Sequence, residues 1–182
     1  IEANPDLCGI LEDNVAKHRP NSWSECSAVC DEDGGLFSFV AGKPNVVGGN
    51  PDFMTQSYKK RFKIDASAAV QVPCARMSNL MTKAGRSMHS ADFLSLDVGG
   101  AEEFVLNATN ISAFKLILVE TIMDESRRTR IGDMMRRAGF VKILFGPLSK
   151  IMYSEVFVRQ DKMVNFPVPE NENTISASSH LS

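Results

Sequence analysis

Acidic side chains stand where predicted strands end, and ligands bind at that edge in open α/β sheets. Glu2 ends an apolar strand at the start of the chain, and Asp97 closes the buried strand Phe93–Val98 just before two glycines. A carboxylate after the second strand of a doubly wound sheet can accept hydrogen bonds from both hydroxyls of a ribose. Glu2 is therefore a candidate ribose ligand, and the equally open alternative is that it favours the start of the next helix.

Asp97 and Glu102 also have two interpretations each. The Asp97 carboxylate can pair with an ammonium group or position a substrate hydroxyl, whereas a structural aspartate would cap the following helix. Glu102 lies in the first turn of a short helix predicted to begin near Gly100. It can act as a general base or complement the positive end of that helix. We predict a functional role for Asp97 and leave both roles open for Glu102.

The cysteines and the sequons offer less chemistry. Four cysteines could form two disulfides, but three lie in segments predicted as core helix or strand, so buried thiols are predicted for Cys8, Cys26, Cys30 and Cys74. No second ligand pair follows the C-x3-C spacing, so no zinc site and no other metal site is predicted. The glycosylation sequons at Asn107 and Asn110 are tripeptides frequent by chance and meaningful only in a secreted chain, so they are given no weight.

Apolar periodicity predicts an alternating order of strands and helices, and therefore an α/β fold with a mainly parallel sheet covered by helices. Helices are expected after Asn4 or Asp6, either of which can cap the first helix, after Pro73, near Gly100 and over Asp124–Ala138. The predicted strands, ending in an antiparallel C-terminal hairpin, are Ile1–Ala3, Ser24–Cys30, Leu36–Val40, Val70–Pro73, Phe93–Val98, Lys115–Thr121, Phe140–Phe145 and Ile151–Arg159.

Two segments lack such periodicity. Ala41–Ala66 is rich in Gly, Pro, Asn and Lys and is predicted to be a long insertion loop. Residues 161–182 are predicted to form a disordered tail behind one domain over 1–160. The arginines of Asp124–Ala138 are interpreted as a largely outward, solvated helix face and not as an anion site.

Composition narrows the partners. A formal charge of -2, with 20 basic and 22 acidic residues, gives no electrostatic footprint for nucleic acid. The apolar stretches, such as Phe114–Val119, are too short to span a bilayer, so no membrane contact within the chain is predicted. Because Ile1 opens inside a strand, we expect a fragment whose upstream targeting signals or anchor would be unseen, with a cytoplasmic location as the default. The oligomeric state is not predicted.

A series of short motifs follows in a distinctive order. They are Ile1-Glu-Ala-Asn-Pro5, Leu11-x-x-Asn14, Ala28-Val-Cys-Asp31, Val72-Pro73, Asp92 through Glu102 with Val105-Leu106, Val119-Glu120 and Ala138-Gly-Phe140. This set resembles the FkbM family of S-adenosylmethionine-dependent methyltransferases over roughly residues 1 to 159. Its strongest element, Asp97 to Glu102, is similar to the family's D-V-E-G-A-E signature, with Gly99 in place of the first glutamate.

The resemblance implies a Rossmann-like class I methyltransferase sheet that lacks its first strand and glycine-rich loop. It implies S-adenosylmethionine as cofactor, with contacts from Glu2 and Asn4 at the ribose side and from Val29 and Asp31 near the adenine. Asp97 would lie near the methionine amino group or the acceptor.

By the same resemblance, Asp97 and Glu102 would be catalytic, and the acceptor would be a hydroxyl of a sugar or another small metabolite. The alternative is a catalytically inactive binding or scaffolding module. A short-chain dehydrogenase is disfavoured, because Phe62 and Phe157 stand where a Tyr-x-x-x-Lys pair would need lysine.

Overall fold

The computed structural model describes residues 1–121, 124–143 and 154–165, and it has an α/β architecture with two mixed sheets of four strands. The helices are α1 Pro5–His18, α2 Gln56–Arg61, α3 Met77–Lys83, α4 Glu102–Asn107 and α5 Glu125–Arg137. The strands are β1 Ala28–Val29, β2 Gly35–Ala41, β3 Gly48–Gly49, β4 Val70–Ala75, β5 Phe93–Leu96, β6 Leu116–Glu120, β7 Phe140–Ile143 and β8 Ser154–Arg159.

The first sheet has the strand order β1-β4-β2-β3. β1 runs parallel to β4, while β2 is antiparallel to both β4 and β3. An isolated parallel bridge joins Glu2 to Cys26, just ahead of β1. The second sheet has the order β5-β6-β8-β7, with β5 parallel to β6 and β8 antiparallel to both of its neighbours.

The α/β class is as predicted, but the single, mostly parallel sheet is not. Antiparallel ladders outnumber parallel ones within the described residues. In the same residues, no strand pairing joins Glu2 and its neighbours to β5, so the predicted single sheet is divided into two sheets between them. The predicted C-terminal hairpin is confirmed as the β7–β8 pair, and its predicted turn around Gly146-Pro147 lies outside the described residues.

The two longest helices begin where their capping residues predict. The Asn4 side chain accepts a hydrogen bond from the backbone N–H of Asp6 and so caps α1, which has Pro5 in its first turn. Asp124 caps α5 in the same way by accepting from the N–H of Arg127 at 2.7 Å. Each cap satisfies a backbone donor that has no partner inside its helix.

The main core lies between the second sheet and its helices. Complete burial of such side chains contributes about 1.5–3 kcal/mol each. The side chains with no exposed surface include Leu80, Ile117, Val119, Ile131, Met135 and Val158. Ile131 and Met135 are the buried residues of α5 and place its apolar face against this core.

The outward face predicted for the α5 arginines is wrong at Arg127. Its side chain is only 13% exposed and donates from Nη2 to the carbonyl oxygen of Phe53 at 2.6 Å. The turn that contains Phe53 is 74 residues away in sequence, so periodicity on α5 alone could not reveal this contact.

The insertion segment predicted as loop is in part regular. It contains β3, a 3-10 turn at Pro51–Phe53 and α2, which Thr55 caps through the N–H of Tyr58. The Phe53 ring stacks on Phe104 of α4 at a centroid distance of 5.3 Å. Packing of this kind overrides a weak local pattern, because tertiary contacts supply most of the stability of short elements.

All four cysteines form disulfides, Cys8–Cys26 and Cys30–Cys74, so the predicted buried thiols are wrong. The parallel register of β1 against β4 places Cys30 beside Cys74. The Glu2–Cys26 bridge likewise brings Cys26 to the first turn of α1, where Cys8 lies. Disulfides are typical of oxidising compartments and rare in the cytosol.

Two further expectations concern the membrane and the tail. Among the described residues, no helix has the length and apolar character needed to cross a bilayer. The first part of the predicted tail follows β8 as a 3-10 helix, Gln160–Asn165. The rest of that tail lies outside the described residues.

Candidate functional site

A cavity of 810 Å³ lies between the facing edges of the two sheets. One wall is formed by Glu2 with Ser27–Val29, and the other by Phe93–Asp97. Among the described residues β5 pairs only with β6, so the backbone of its other edge faces this cavity. The volume falls within the range of about 300–1,000 Å³ that is usual for small-molecule and cofactor sites.

Three carboxylates lie close together at the carboxyl ends of β5 and β6 in the second sheet. Oxygen atoms of Asp97, Glu102 and Glu120 lie within 4.8 Å of one another. Asp97 follows β5, Glu120 ends β6 and Glu102 begins α4, so the parallel pairing of β5 and β6 brings the strand ends to one edge. Sequence reasoning found Asp97 and Glu102 as candidate catalytic residues, and the structure brings them together.

Glu120 is the member of this group that was given no role from the sequence. Burial, a hydrogen bond to Asp97 and the nearby Asp97 and Glu102 charges raise the pKa of Glu120 to about 8. The raised pKa favours the protonated form of Glu120, which can donate a hydrogen bond to Asp97. The sequence carried a signal for Glu120, because this residue ends the buried strand β6 and Asp97, which was selected from the sequence, directly follows the buried strand β5.

Glu102 is the buried member, with 1% of its surface exposed. Its Oε1 accepts hydrogen bonds from the backbone N–H groups of Val98, at 3.2 Å, and Gly100, at 3.0 Å. Burial raises the pKa of Glu102, while these N–H donors and the Arg127 guanidinium oppose that rise. Glu102 thus holds the turn that follows β5, and this turn sets the position of Asp97.

Tyr58 reaches the same place from the insertion segment. It lines the cavity from α2, and burial together with the Glu120, Asp97 and Glu102 carboxylates raises its pKa to about 12. The Tyr58 hydroxyl accordingly stays protonated and remains a hydrogen-bond donor beside the carboxylates. This approach could not be predicted from the sequence, because the segment lacks periodicity.

Gly99 lies where the insertion segment touches the turn after β5. Its φ is +61°, and a Cβ atom built on it would collide with the Gly48 carbonyl oxygen of β3. Gly49, on the other side of the contact, has a φ of +154° and packs on the Val98 and Gly99 carbonyl oxygens. The glutamate expected at position 99 by resemblance therefore does not fit this packing, and glycine is the residue that both the backbone and the contact require.

Glu2 and Asn4 lie on the opposite wall of the cavity. Oε1 of Glu2 accepts the backbone N–H of Asn4 at 2.7 Å, which leaves the second carboxylate oxygen for other partners. The Asn4 side chain is 2% exposed, caps α1 and donates to the Asn45 carbonyl oxygen at 2.7 Å. Asn4 thus connects α1 to the insertion segment, with both of its side-chain polar atoms in use.

Val29 lines the cavity, whereas the cavity lining among the described residues does not include Asp31. Asp31 is exposed, and its carbonyl oxygen accepts from Nε of Arg76 at 2.7 Å. The structure therefore brings Glu2, Asn4, Val29 and Asp97 to one cavity and leaves Asp31 outside it.

The cluster of the Asp97, Glu102 and Glu120 carboxylates also offers what a hard divalent cation prefers, namely several oxygen ligands close together. The sequence did not predict such a grouping. Cys8, Glu12 and Cys26 form a second cluster of residue types that can bind a metal. Its two cysteines are joined in a disulfide and therefore offer no thiolate.

Comparison with known proteins identifies no relative. No family model, no curated protein and no solved structure matches the chain.

Proposed function

We propose that the chain is an S-adenosylmethionine-dependent methyltransferase domain that acts on a hydroxyl oxygen of a sugar or another small metabolite. The observation that carries the proposal is the pairing of two features across one cavity. Glu2, which forms the isolated bridge with Cys26, lies on one wall, and the Asp97 and Glu120 carboxylates lie at the carboxyl ends of β5 and β6 on the other. The buried Glu102 carboxylate lies beside these two but does not line the cavity.

The first wall supplies features that suit the nucleoside part of this cofactor. The free oxygen of Glu2 can accept from a ribose hydroxyl, since the other oxygen is fixed by Asn4. Ala28 and Val29 add apolar surface beside it, on which an adenine ring can pack. When bound, the cofactor supplies an electrophilic methyl group.

The second wall supplies groups for the acceptor. Transfer to a hydroxyl requires that its proton be taken up, and the exposed Asp97 carboxylate can accept this proton. Protonated Glu120 donates to Asp97 and so orients its carboxylate, while Glu102 fixes the backbone of the same turn. Tyr58 adds a donor that can hold a second hydroxyl of a sugar.

Binding of S-adenosylhomocysteine, measured by isothermal titration calorimetry, tests the cofactor assignment. Glu2→Gln should raise Kd about tenfold, which corresponds to about 1.4 kcal/mol for loss of a charged hydrogen bond. Glu12→Gln removes the same charge from an exposed position on α1 and should leave Kd unchanged. No heat of binding at high micromolar ligand, or equal effects of the two substitutions, would contradict the proposal.

Transfer of a labelled methyl group to a panel of sugars tests the acceptor assignment. Asp97→Asn should lower kcat by a factor of about 10² to 10⁴, the usual contribution of a general base, with Kd for S-adenosylhomocysteine changed less than threefold. If Asp97→Asn instead removes cofactor binding, Asp97 holds the methionine ammonium group and is not the base.

Gly99 favours a second candidate, a module that binds the cofactor without transferring its methyl group. Gly99 lacks the carboxylate that the family signature has at this position. A glutamate side chain would not fit there, because φ is +61° and its Cβ would collide with Gly48. Binding of S-adenosylhomocysteine with no methyl transfer to any hydroxyl in the panel would favour this second function.

A further inference from the structure

Two sequons occupy the turn that follows α4. Asn107 is the last residue of α4, and Asn110 begins the 3-10 turn Ile111–Ala113. Both asparagines are exposed, and neither amide is hydrogen-bonded to another group within the described part of the chain. The sequon hydroxyls belong to Thr109 and Ser112, so each tripeptide is complete.

Thr109 has a property that the fold does not explain. The residue is only 7% exposed, and its Oγ1 is buried with no hydrogen-bond partner among the described residues. A buried hydroxyl without a partner costs about 1–3 kcal/mol, and valine would fill the same space without that cost. A hydroxyl is required, however, if Asn107 is an acceptor, because the sequon is read through the hydroxyl two residues later.

The disulfides provide an independent observation. A sequon carries meaning in a chain that enters the secretory compartment, and disulfides such as Cys8–Cys26 and Cys30–Cys74 form and persist there. Asn107 is exposed and does not line the cavity, although Val105 and Phe114 on either side of the turn do. A glycan on Asn107 would therefore be attached outside the cavity.

We propose that Asn107 is an N-linked glycosylation site. In the reaction, Nδ2 of Asn107 attacks C1 of the first N-acetylhexosamine of a polyprenyl-diphosphate-linked oligosaccharide. The C1–O bond to the diphosphate breaks, a C1–N bond forms, and the polyprenyl diphosphate leaves while Nδ2 loses one proton. The transfer precedes burial of Thr109 during folding, since the Thr109 hydroxyl is accessible only in the unfolded chain.

The test uses the whole chain secreted from insect cells behind a cleavable signal sequence. Mass is measured before and after peptide N-glycosidase treatment, on both the secreted protein and the protein retained in the endoplasmic reticulum. Wild type should lose the mass of one glycan. Thr109→Val and Asn107→Gln should show no mass loss attributable to Asn107, whereas Thr109→Ser should still show that loss. The control Asn14→Gln changes an exposed residue outside any sequon and should match wild type.

Thr109→Val separates this role from a structural one. It should raise the melting temperature of the deglycosylated protein, because it removes an unpaired hydroxyl and keeps the shape of the side chain. The proposal is overturned if wild type shows no glycosidase-sensitive mass in either fraction, or if the mass persists in Thr109→Val and disappears in Asn110→Gln. It is also overturned if the cysteines of the secreted protein react with an alkylating reagent without prior reduction.

Discussion

Glu120→Gln should remove a pH dependence of stability that the carboxylate group imposes on the wild-type protein. The folded state raises the pKa of Glu120 from 4.5 to about 8, first through burial and then through Asp97 and Glu102. Between these values the folded protein binds a proton that the unfolded chain releases. The free energy of unfolding therefore falls as pH rises from about 4.5 through 8.

The size of this fall follows from the same values. A rise from 4.5 to about 8 would correspond to about 4.8 kcal/mol for a fully desolvated carboxyl, at about 1.36 kcal/mol per pKa unit. Glu120 is only half-buried, so solvent screening reduces the effect to about 2 kcal/mol. For a chain of this size, about 2 kcal/mol is a change in Tm of roughly 4–8 °C.

Thermal unfolding followed by circular dichroism between pH 5 and pH 9 measures the effect. Glutamine keeps the shape and a donor toward Asp97 but cannot ionise, so the variant should lose about 2 kcal/mol less than wild type over this range. Glu125→Gln, in which the replaced side chain is 79% exposed, serves as the matched control and should keep the wild-type slope. Equal slopes for wild type and Glu120→Gln would refute the reasoning.

Further substitutions test the packing around the site. Gly99→Ala should lower the free energy of unfolding, measured by chemical denaturation, by about 1–3 kcal/mol, because φ is +61° and the added Cβ would collide with β3. Gly9→Ala, where an added Cβ meets nothing on α1, should raise the free energy of unfolding by about 0.5–1 kcal/mol. The opposite sign at either glycine would contradict this packing. Arg127→Met should cost about 1.5–3 kcal/mol through loss of the hydrogen bond to Phe53, and the exposed Arg137→Met should cost little; similar values for the two would count against the contact. Reduction of the disulfides should lower stability by about 2–4 kcal/mol per bond, since the bonds close loops of 18 and 44 residues, and an unchanged Tm under reductant would contradict their role.

The sequence by itself determined the elements whose pattern is local. Asn4 and Asp124 signal the starts of α1 and α5, and the apolar run at β6 signals a buried strand; these signals depend only on neighbouring residues. The same local rule, an acidic residue after a buried strand, selected Glu2 and Asp97, which line one cavity in the structure.

Only the tertiary structure decided which distant groups meet. The disulfide partners, the contact of Arg127 with Phe53 and the approach of Tyr58 to Glu120 all depend on strand register and on how the insertion segment packs. The division into two sheets is of the same kind, because strand pairing is a property of edges brought together in space. A sequence pattern fixes the face that each element buries, but it does not specify which other element covers that face, and the chemistry of this site arises from those pairings.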